Sequence, residues 1–375
     1  MKNRHIHIIS LDVPYPVNYG GVVDLFFKLK ALHEKGIKIH LHCFEYGRGE
    51  QAELNKYCEE VHYYKRIEGT KGFSFSIPYI VASRNNNKLW ERLQKDKYPI
   101  IVEGIHCSYG VFAGLLNERK VILRLHNVEH EYYKQLSQWE RSLVKKTYFH
   151  HESRLLERYE KQIANACYIL TVSEKDKQTY KSKFGAANIS YLPVFIEKQT
   201  IDSPVGKGNY ALYHGNLSVA ENEKAALWLL EKIFNDLDIP LVIAGNNPSD
   251  KLMKLSHKRP TTCIIANPEE NEMNDLISKA HLHILPSFTD SGIKLKLINA
   301  LYKGRHVIVN EAMVAGTGLE NACHLADSAA LMKYQAYRLF QLPFTEEDTN
   351  KREKILSEIF DQEAQINTLI SLLFD

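Results

Sequence analysis

A glycine followed at the second and fourth positions by lysines, Gly292-Ile293-Lys294-Leu295-Lys296, opens an apolar-periodic stretch that reaches Asn299 and stops at Gly304. If this stretch is a helix, its free N–H groups, the positive end of its dipole and two ammonium groups lie together, which makes a receptor for a diphosphate. The apolar run at 281–285 just before it ends at Pro286-Ser287, so the turn would sit at the carboxyl end of a strand, where open α/β sheets bind ligands. Lysines on a solvated helix have the same spacing, and the motif alone leaves both readings open.

Other glycines fall at strand ends. Gly20 and Gly21 close a loop after the run 5–10 and precede a helical pattern, while Gly215-Asn216 and Gly245 follow the runs 210–214 and 241–244. A glycine there lets the backbone approach a ligand without a Cβ in the way. The GxGxxG fingerprint is absent from the first of these loops, which argues against a dehydrogenase. Three strand-end glycines in the second half of the chain, together with the lysine-bearing helix, point to a nucleotide diphosphate pocket.

His126 directly follows the run 121–125, and the spacing His126-x-x-Glu129-His130 formally matches an inverted zinc-protease motif. That motif needs both histidines on one helix, whereas His126 ends a strand pattern. A hydrogen-bonding or acid/base group at a strand's carboxyl end is the better reading, beside a histidine that merely caps the next turn. The alternating pairs His5/His7, His40/His42 and His281/His283 share strand faces without a ligand set and are read as packing residues.

The elements that must position these residues alternate. Strand-like runs at 5–10, 37–44, 61–64, 100–102, 121–125 and 168–172 enclose helical patterns such as 22–35 and 87–94, the signature of a parallel, doubly wound sheet. The pattern pauses at 196–208, where Pro204, Gly206 and Gly208 mark a linker, and restarts with runs at 210–214, 241–244, 263–265, 281–285 and 307–309. This predicts domains at 1–195 and 209–345, with helices over 346–375 that could pack back on the first. Length suits two domains: 375 residues, 44% hydrophobic and 25% charged. A net charge of +3 argues against a nucleic-acid binder. Six scattered cysteines, no signal-peptide core and no long apolar run predict a reduced, cytoplasmic protein.

The ordered series resembles glycosyltransferase family 4: the glycine loop, His126-Asn127-Val128-Glu129, Leu170-Thr171-Val172-Ser173-Glu174, Tyr213-His214-Gly215-Asn216-Leu217, Ile243-Ala244-Gly245 and 292–309. The resemblance implies a GT-B fold, two Rossmann-like doubly wound domains facing across a cleft. It also implies retaining transfer of a sugar from a nucleotide-diphosphate donor, with neither metal nor cofactor. On this reading His126, Lys294 and Lys296 are catalytic, His126 lying near the sugar and the lysines stabilising the departing diphosphate. Donor contacts are assigned to Gly20, Gly21, Gly215, Asn216, Gly245, Ser291, Gly292, Ile293 and Asn299. Two positions depart from the family pattern, in which Ser291 and Asn299 are glutamates, the second holding the ribose hydroxyls. Family members also commonly carry an arginine after the Gly215 strand and a lysine five positions later, whereas here Asn216 follows the glycine.

The acceptor implied is a glycan or lipid-linked sugar. Lys65, Arg66, Lys71, Phe73, Phe75 and Tyr79 mix basic and aromatic residues, so peripheral contact with the inner membrane face stands beside an ordinary surface loop. A GT-B-shaped scaffolding subunit without turnover is the rival from another class, motivated by Asn299.

Overall fold

The structure is a computed structural model that describes residues 4–140, 142–289, 292 and 294–375. It divides into two compact units, Met1–Glu197 with Ser291–Ile293 and Phe360–Asp375, and Lys198–Asp290 with Lys294–Ile359. Of the terminal region 346–375, helix Glu346–Ile359 belongs to the second unit and helix Gln362–Phe374 to the first. No helix among the described residues is long and apolar enough to cross a membrane.

The first unit holds seven strands: β1 (His5–Ser10), β2 (Lys38–Glu45), β3 (Glu60–Lys65), β4 (Ile100–Glu103), β5 (Val121–Leu125), β6 (Tyr168–Thr171) and β7 (Ile189–Tyr191). They lie in the order β3-β2-β1-β4-β5-β6-β7, all parallel. β4 and β5 are buried at every residue, Glu103 and Arg124 included, as strands covered on both faces are. Helix Gly20–Glu34 follows β1 and buries Leu25, Phe26, Leu29 and Leu32 in one core with Ile366, Leu369 and Leu373 of the last helix. The chain reverses direction across the sheet between β1 and β4, a topological switch point.

The second unit repeats the design with β8 (Ala211–His214), β9 (Leu241–Gly245), β10 (Thr262–Ala266), β11 (Leu282–Leu285), β12 (His306–Val309) and β13 (His324–Leu325), again all parallel, in the order β10-β9-β8-β11-β12-β13. Its switch point lies between β8 and β11. The sequence reading does not include β7 and β13, which have three and two residues, too few for a period to register.

Gly245 closes β9 for a packing reason: a Cβ there would collide with the carbonyl oxygen of Gly215, which is backbone and cannot move aside. Gly245→Ala is therefore expected to lower stability by about 1–3 kcal/mol through overpacking, measured as the urea midpoint. An unchanged midpoint would contradict that packing account.

Candidate functional site

In the second unit, the segments after β8 and β11 bring polar side chains together at the switch point. Asn216 turns the chain after β8, its Oδ1 accepting from the Ser218 amide at 3.1 Å and the Ser218 hydroxyl at 2.7 Å. Helix Ala220–Trp228 follows and supplies Glu221 and Asn222 from its first turn. The segment after β11 supplies Ser287 and Thr289, whose hydroxyls donate to Glu221 Oε1 at 2.5 and 2.8 Å. Helix Leu295–Lys303 begins with Lys294 as its N-cap.

Lys294 Nζ donates to Thr289 Oγ1 at 2.7 Å and lies 3.9 Å from Glu221 Oε1. Lys296 Nζ donates to Asn222 Oδ1 at 2.8 Å and to the Tyr213 hydroxyl at 3.3 Å, and sits 5.0 Å from the centre of the Tyr213 ring. An ammonium has three donors, so the third N–H of Lys296 is left for a ligand among the described residues. Burial pushes the Lys296 ammonium down to about 8, against the pull of Glu221 and with the push of Lys294. Burial opposes the charge of Glu221, yet Lys294 and the two hydroxyls hold its carboxyl below the ordinary range.

Expectation and structure differ at the helix start. Gly292 does not open the helix: its φ of 65° is left-handed, and the helix begins three residues later at Leu295. Gly292 groups with the first unit, where an added Cβ would collide with Asn127 Oδ1 and lie 3.4 Å from the His126 carbonyl oxygen, so only glycine fits. Ser291 and Ile293 lie outside the described residues. Asn299 is exposed on its helix. Gly20 does open helix Gly20–Glu34, and a Cβ at Gly21 would meet only the Tyr19 ring, at 3.6 Å.

In the first unit, His126 directly follows β5. Its Nε2 is 3.1 Å from Glu103 Oε2 at the end of β4 and 3.9 Å from Asp24 Oδ2 on the helix after β1. Asp24, Glu103 and His126 offer ligand atoms within 4.8 Å of one another, but cationic side chains already fill this site. Lys28 Nζ lies 2.6 Å from Glu103 and 3.0 Å from Asp24, and Arg124 clasps Asp24 at 3.0 and 3.1 Å. Lys28 and Arg124 hold the Asp24 carboxyl well below its usual range despite full burial. Glu103 is lowered too: burial acts against its charge, outweighed by Lys28 and His126.

The His126/His130 pair of the zinc motif is not assembled. Helix Glu129–Trp139 begins after His126, and His130 turns to Glu160 and to Lys183 Nζ, at 2.5 and 2.6 Å. No group of three potential metal ligands among the described residues contains both histidines. Glu129, buried beside Asn127 Nδ2 at 3.3 Å, has its carboxyl pushed up to about 8 by burial.

Sequence reasoning missed Asp24, Lys28, Glu103 and Arg124 in the first unit and Tyr213, Glu221, Asn222, Ser287 and Thr289 in the second. A signal existed for three of the first four. Asp24 and Lys28 are charges on the Leu25/Leu29/Leu32 face, and Arg124 interrupts an apolar strand, placements that occur only when the charges are paired. Glu221 stands five positions after Asn216, where the resemblance would place a lysine, and it carries the opposite charge.

Residues 208–337 match the family described as Glycosyl transferases group 1. An uncharacterised 44.6 kDa protein in the cps region of Klebsiella pneumoniae is 28% identical over 332 residues, covering 84% of each chain. Among solved structures, sucrose-phosphate synthase from Thermosynechococcus elongatus superposes with a TM-score of 0.71 at 14% identity, covering 99% of this chain and 98% of that one. The Anabaena protein HepE, crystallised in complex with UDP and glucose, gives a TM-score of 0.66 at 12% identity with 99% of both chains covered. The fold is GT-B, and residues 208–337 match the glycosyltransferase group 1 family.

Proposed function

We propose that this chain, with its GT-B fold and group 1 domain, transfers a sugar from a nucleotide-diphosphate donor to a glycan or lipid-linked acceptor, with retention and in polysaccharide biosynthesis. The observation that carries the reading is the half-buried Lys296 ammonium, with Lys294 at the helix start, at the carboxyl ends of β8 and β11. Rupture of the bond from anomeric carbon to phosphate oxygen leaves the electron pair on the diphosphate. Two lysines and free helix N–H groups stabilise that charge as it forms, a role a bound metal would otherwise fill. The acceptor hydroxyl adds to the anomeric carbon from the same face, and its proton passes to the departing phosphate oxygen. His126 is assigned to the sugar. The relative from a cps region supports the polysaccharide setting, and the UDP and glucose bound by HepE support a nucleotide-sugar donor.

Thermal stabilisation by a panel of UDP-, GDP-, ADP- and CMP-sugars tests the donor assignment. A true donor at about a hundred times its Kd should add roughly 2.7 kcal/mol of stability, and incubation should release the nucleoside diphosphate. No stabilisation across the panel would remove the reading. Stabilisation with neither hydrolysis nor transfer would favour the scaffolding alternative, in which the uncharged Asn299 accompanies lost turnover.

Membrane contact belongs to the same proposal, for a cytoplasmic protein working at the inner face. Phe75 is 83% exposed and Leu143 and Val144 are 79% and 81% exposed, with Lys71, Lys145 and Lys146 exposed near them in sequence. Apolar tips among lysines suit an anionic bilayer. Co-sedimentation with vesicles rich in phosphatidylglycerol should fall for Phe75→Ser, whereas equal recovery with neutral vesicles would count against it.

A further inference from the structure

His126 and the four charged groups around it form one buried set whose charges close. Asp24, Lys28, Glu103 and Arg124 are each no more than 2% exposed, and His126 is 15% exposed. Two carboxylates face one ammonium and one guanidinium, so the set is neutral when His126 is neutral. Buried charge persists only when paired and hydrogen-bonded, and here each charge has a partner of opposite sign. Arg124 places its remaining N–H groups on the carbonyls of Leu192 and Pro193 at 2.6 and 2.9 Å, and Asp24 also accepts the Phe195 amide at 2.8 Å. These bonds tie the helix after β1 to β5 and to the chain beyond β7, fixing where the second carboxylate, Glu103, can stand.

An ionised carboxylate only accepts hydrogen bonds. Glu103 Oε1 takes Lys28 and Oε2 faces His126 Nε2, so Nε2 must carry the proton and a neutral His126 presents a bare Nδ1. Nδ1 of His126 has no partner among the described residues.

We infer that Glu103, clamped by Lys28, is a positioning residue that fixes His126 as its Nε2–H tautomer, so that His126 meets the transferred sugar through the Nδ1 lone pair, as acceptor from a sugar hydroxyl. This rests on the glycosyltransferase reading for the identity of the ligand, but the tautomer itself does not. The other titratable groups facing His126 are Asp24, Lys28, Arg124 and, from the segment after β4, His106.

The test combines a measurement on the intact chain with a variant. Long-range proton–nitrogen correlation on the full chain labelled with ¹⁵N-histidine, assigned by the signal lost in His126→Gln, is expected to show Nε2 protonated and Nδ1 bare near pH 8. A proton on Nδ1 overturns the inference whether or not any donor is turned over. Glu103→Gln is expected to lower kcat about tenfold to a hundredfold, the usual range for groups that orient a functional histidine, with donor KM little changed and the Nε2–H tautomer of His126 no longer dominant in the same spectrum. An unchanged tautomer with unchanged kcat in Glu103→Gln overturns the positioning role. If the wild type turns over no donor while the tautomer is as stated, the glycosyltransferase reading fails and the geometry of His126 stands.

Discussion

Replacing Lys296 by methionine is expected to weaken nucleoside diphosphate binding by one to two orders of magnitude while leaving the melting temperature nearly unchanged. Methionine keeps the unbranched stem that packs on Tyr213 and deletes only the ammonium, whose two protein bonds go to Asn222 and the Tyr213 hydroxyl. A hydrogen bond to a charged group contributes about 1.5–3 kcal/mol, which corresponds to roughly ten- to a hundredfold in Kd. Lys294→Met should cost less, because Glu221 already balances part of that charge from 3.9 Å. The same ammonium sets a pH dependence. Its pKa of about 8 means that it is charged below that value, and an anion binds the charged form. Above pH 8 binding must take up a proton, so Kd for UDP should rise about tenfold per pH unit. Calorimetric titration of UDP from pH 7 to 9.5 checks both statements. Equal affinity for wild type and Lys296→Met, or a flat Kd across that range, would remove Lys296 from the diphosphate site.

Much of this arrangement can be read from the chain itself. Eleven of the strands follow from short apolar runs, because parallel strands covered on both faces leave continuous Val, Ile and Leu in the sequence. His126 is legible for a related reason, since it directly follows such a run, and Lys296 because it lies in the first turn of the helix after one; the ends of parallel strands are where side chains are free to meet a ligand. Their partners are not legible. Glu103 precedes His126 by 23 positions and Asp24 precedes Arg124 by 100, and nothing local fixes which buried acid meets which base. Glu221 accepts from Ser287 and Thr289 across 66 and 68 positions, and Lys294 joins the group through Thr289. Gly292 shows the other limit. Its spacing from Lys294 and Lys296 suggests a helix start, but a left-handed φ is a property of the folded backbone, and it moves the N-cap to Lys294. Gly245 was read as room for a ligand, while its nearest neighbour is the Gly215 carbonyl.

Stability should fall steeply as pH drops from about 6.5 toward 5, because several histidines are buried in the neutral form. The clearest case crosses β3, β2 and β1. Arg92 donates to the Tyr64 hydroxyl at 3.3 Å, Tyr64 donates to His42 Nδ1 at 2.9 Å, His42 Nε2–H donates to His7 Nδ1 at 2.9 Å, and His7 Nε2–H donates to Asp96 at 3.0 Å. Every bond has one donor and one acceptor only while both rings are neutral; an extra proton sets donor against donor. Burial pushes His7 down to about 4, outweighing the pull of Asp96, and takes His42 well below its usual range. In the second unit burial pushes His214 to about 3 and His306 to about 4. The sign follows directly. The unfolded chain binds these protons near pH 6.5 and the folded chain does not, so their contribution is complete above 6.5 and is lost as pH falls toward the folded values. At pH 5 each such histidine costs roughly 2 kcal/mol, so His214 and His306 together remove about 4 kcal/mol, a large share of a typical stability of about 5–15 kcal/mol. Urea unfolding at pH 7.5, 6 and 5 should show the midpoint dropping throughout, and His306→Gln should flatten the slope by about one proton. A midpoint constant from pH 7.5 to 5 would mean that these rings are charged in the folded protein, which the donor–acceptor order across β1, β2 and β3 does not permit.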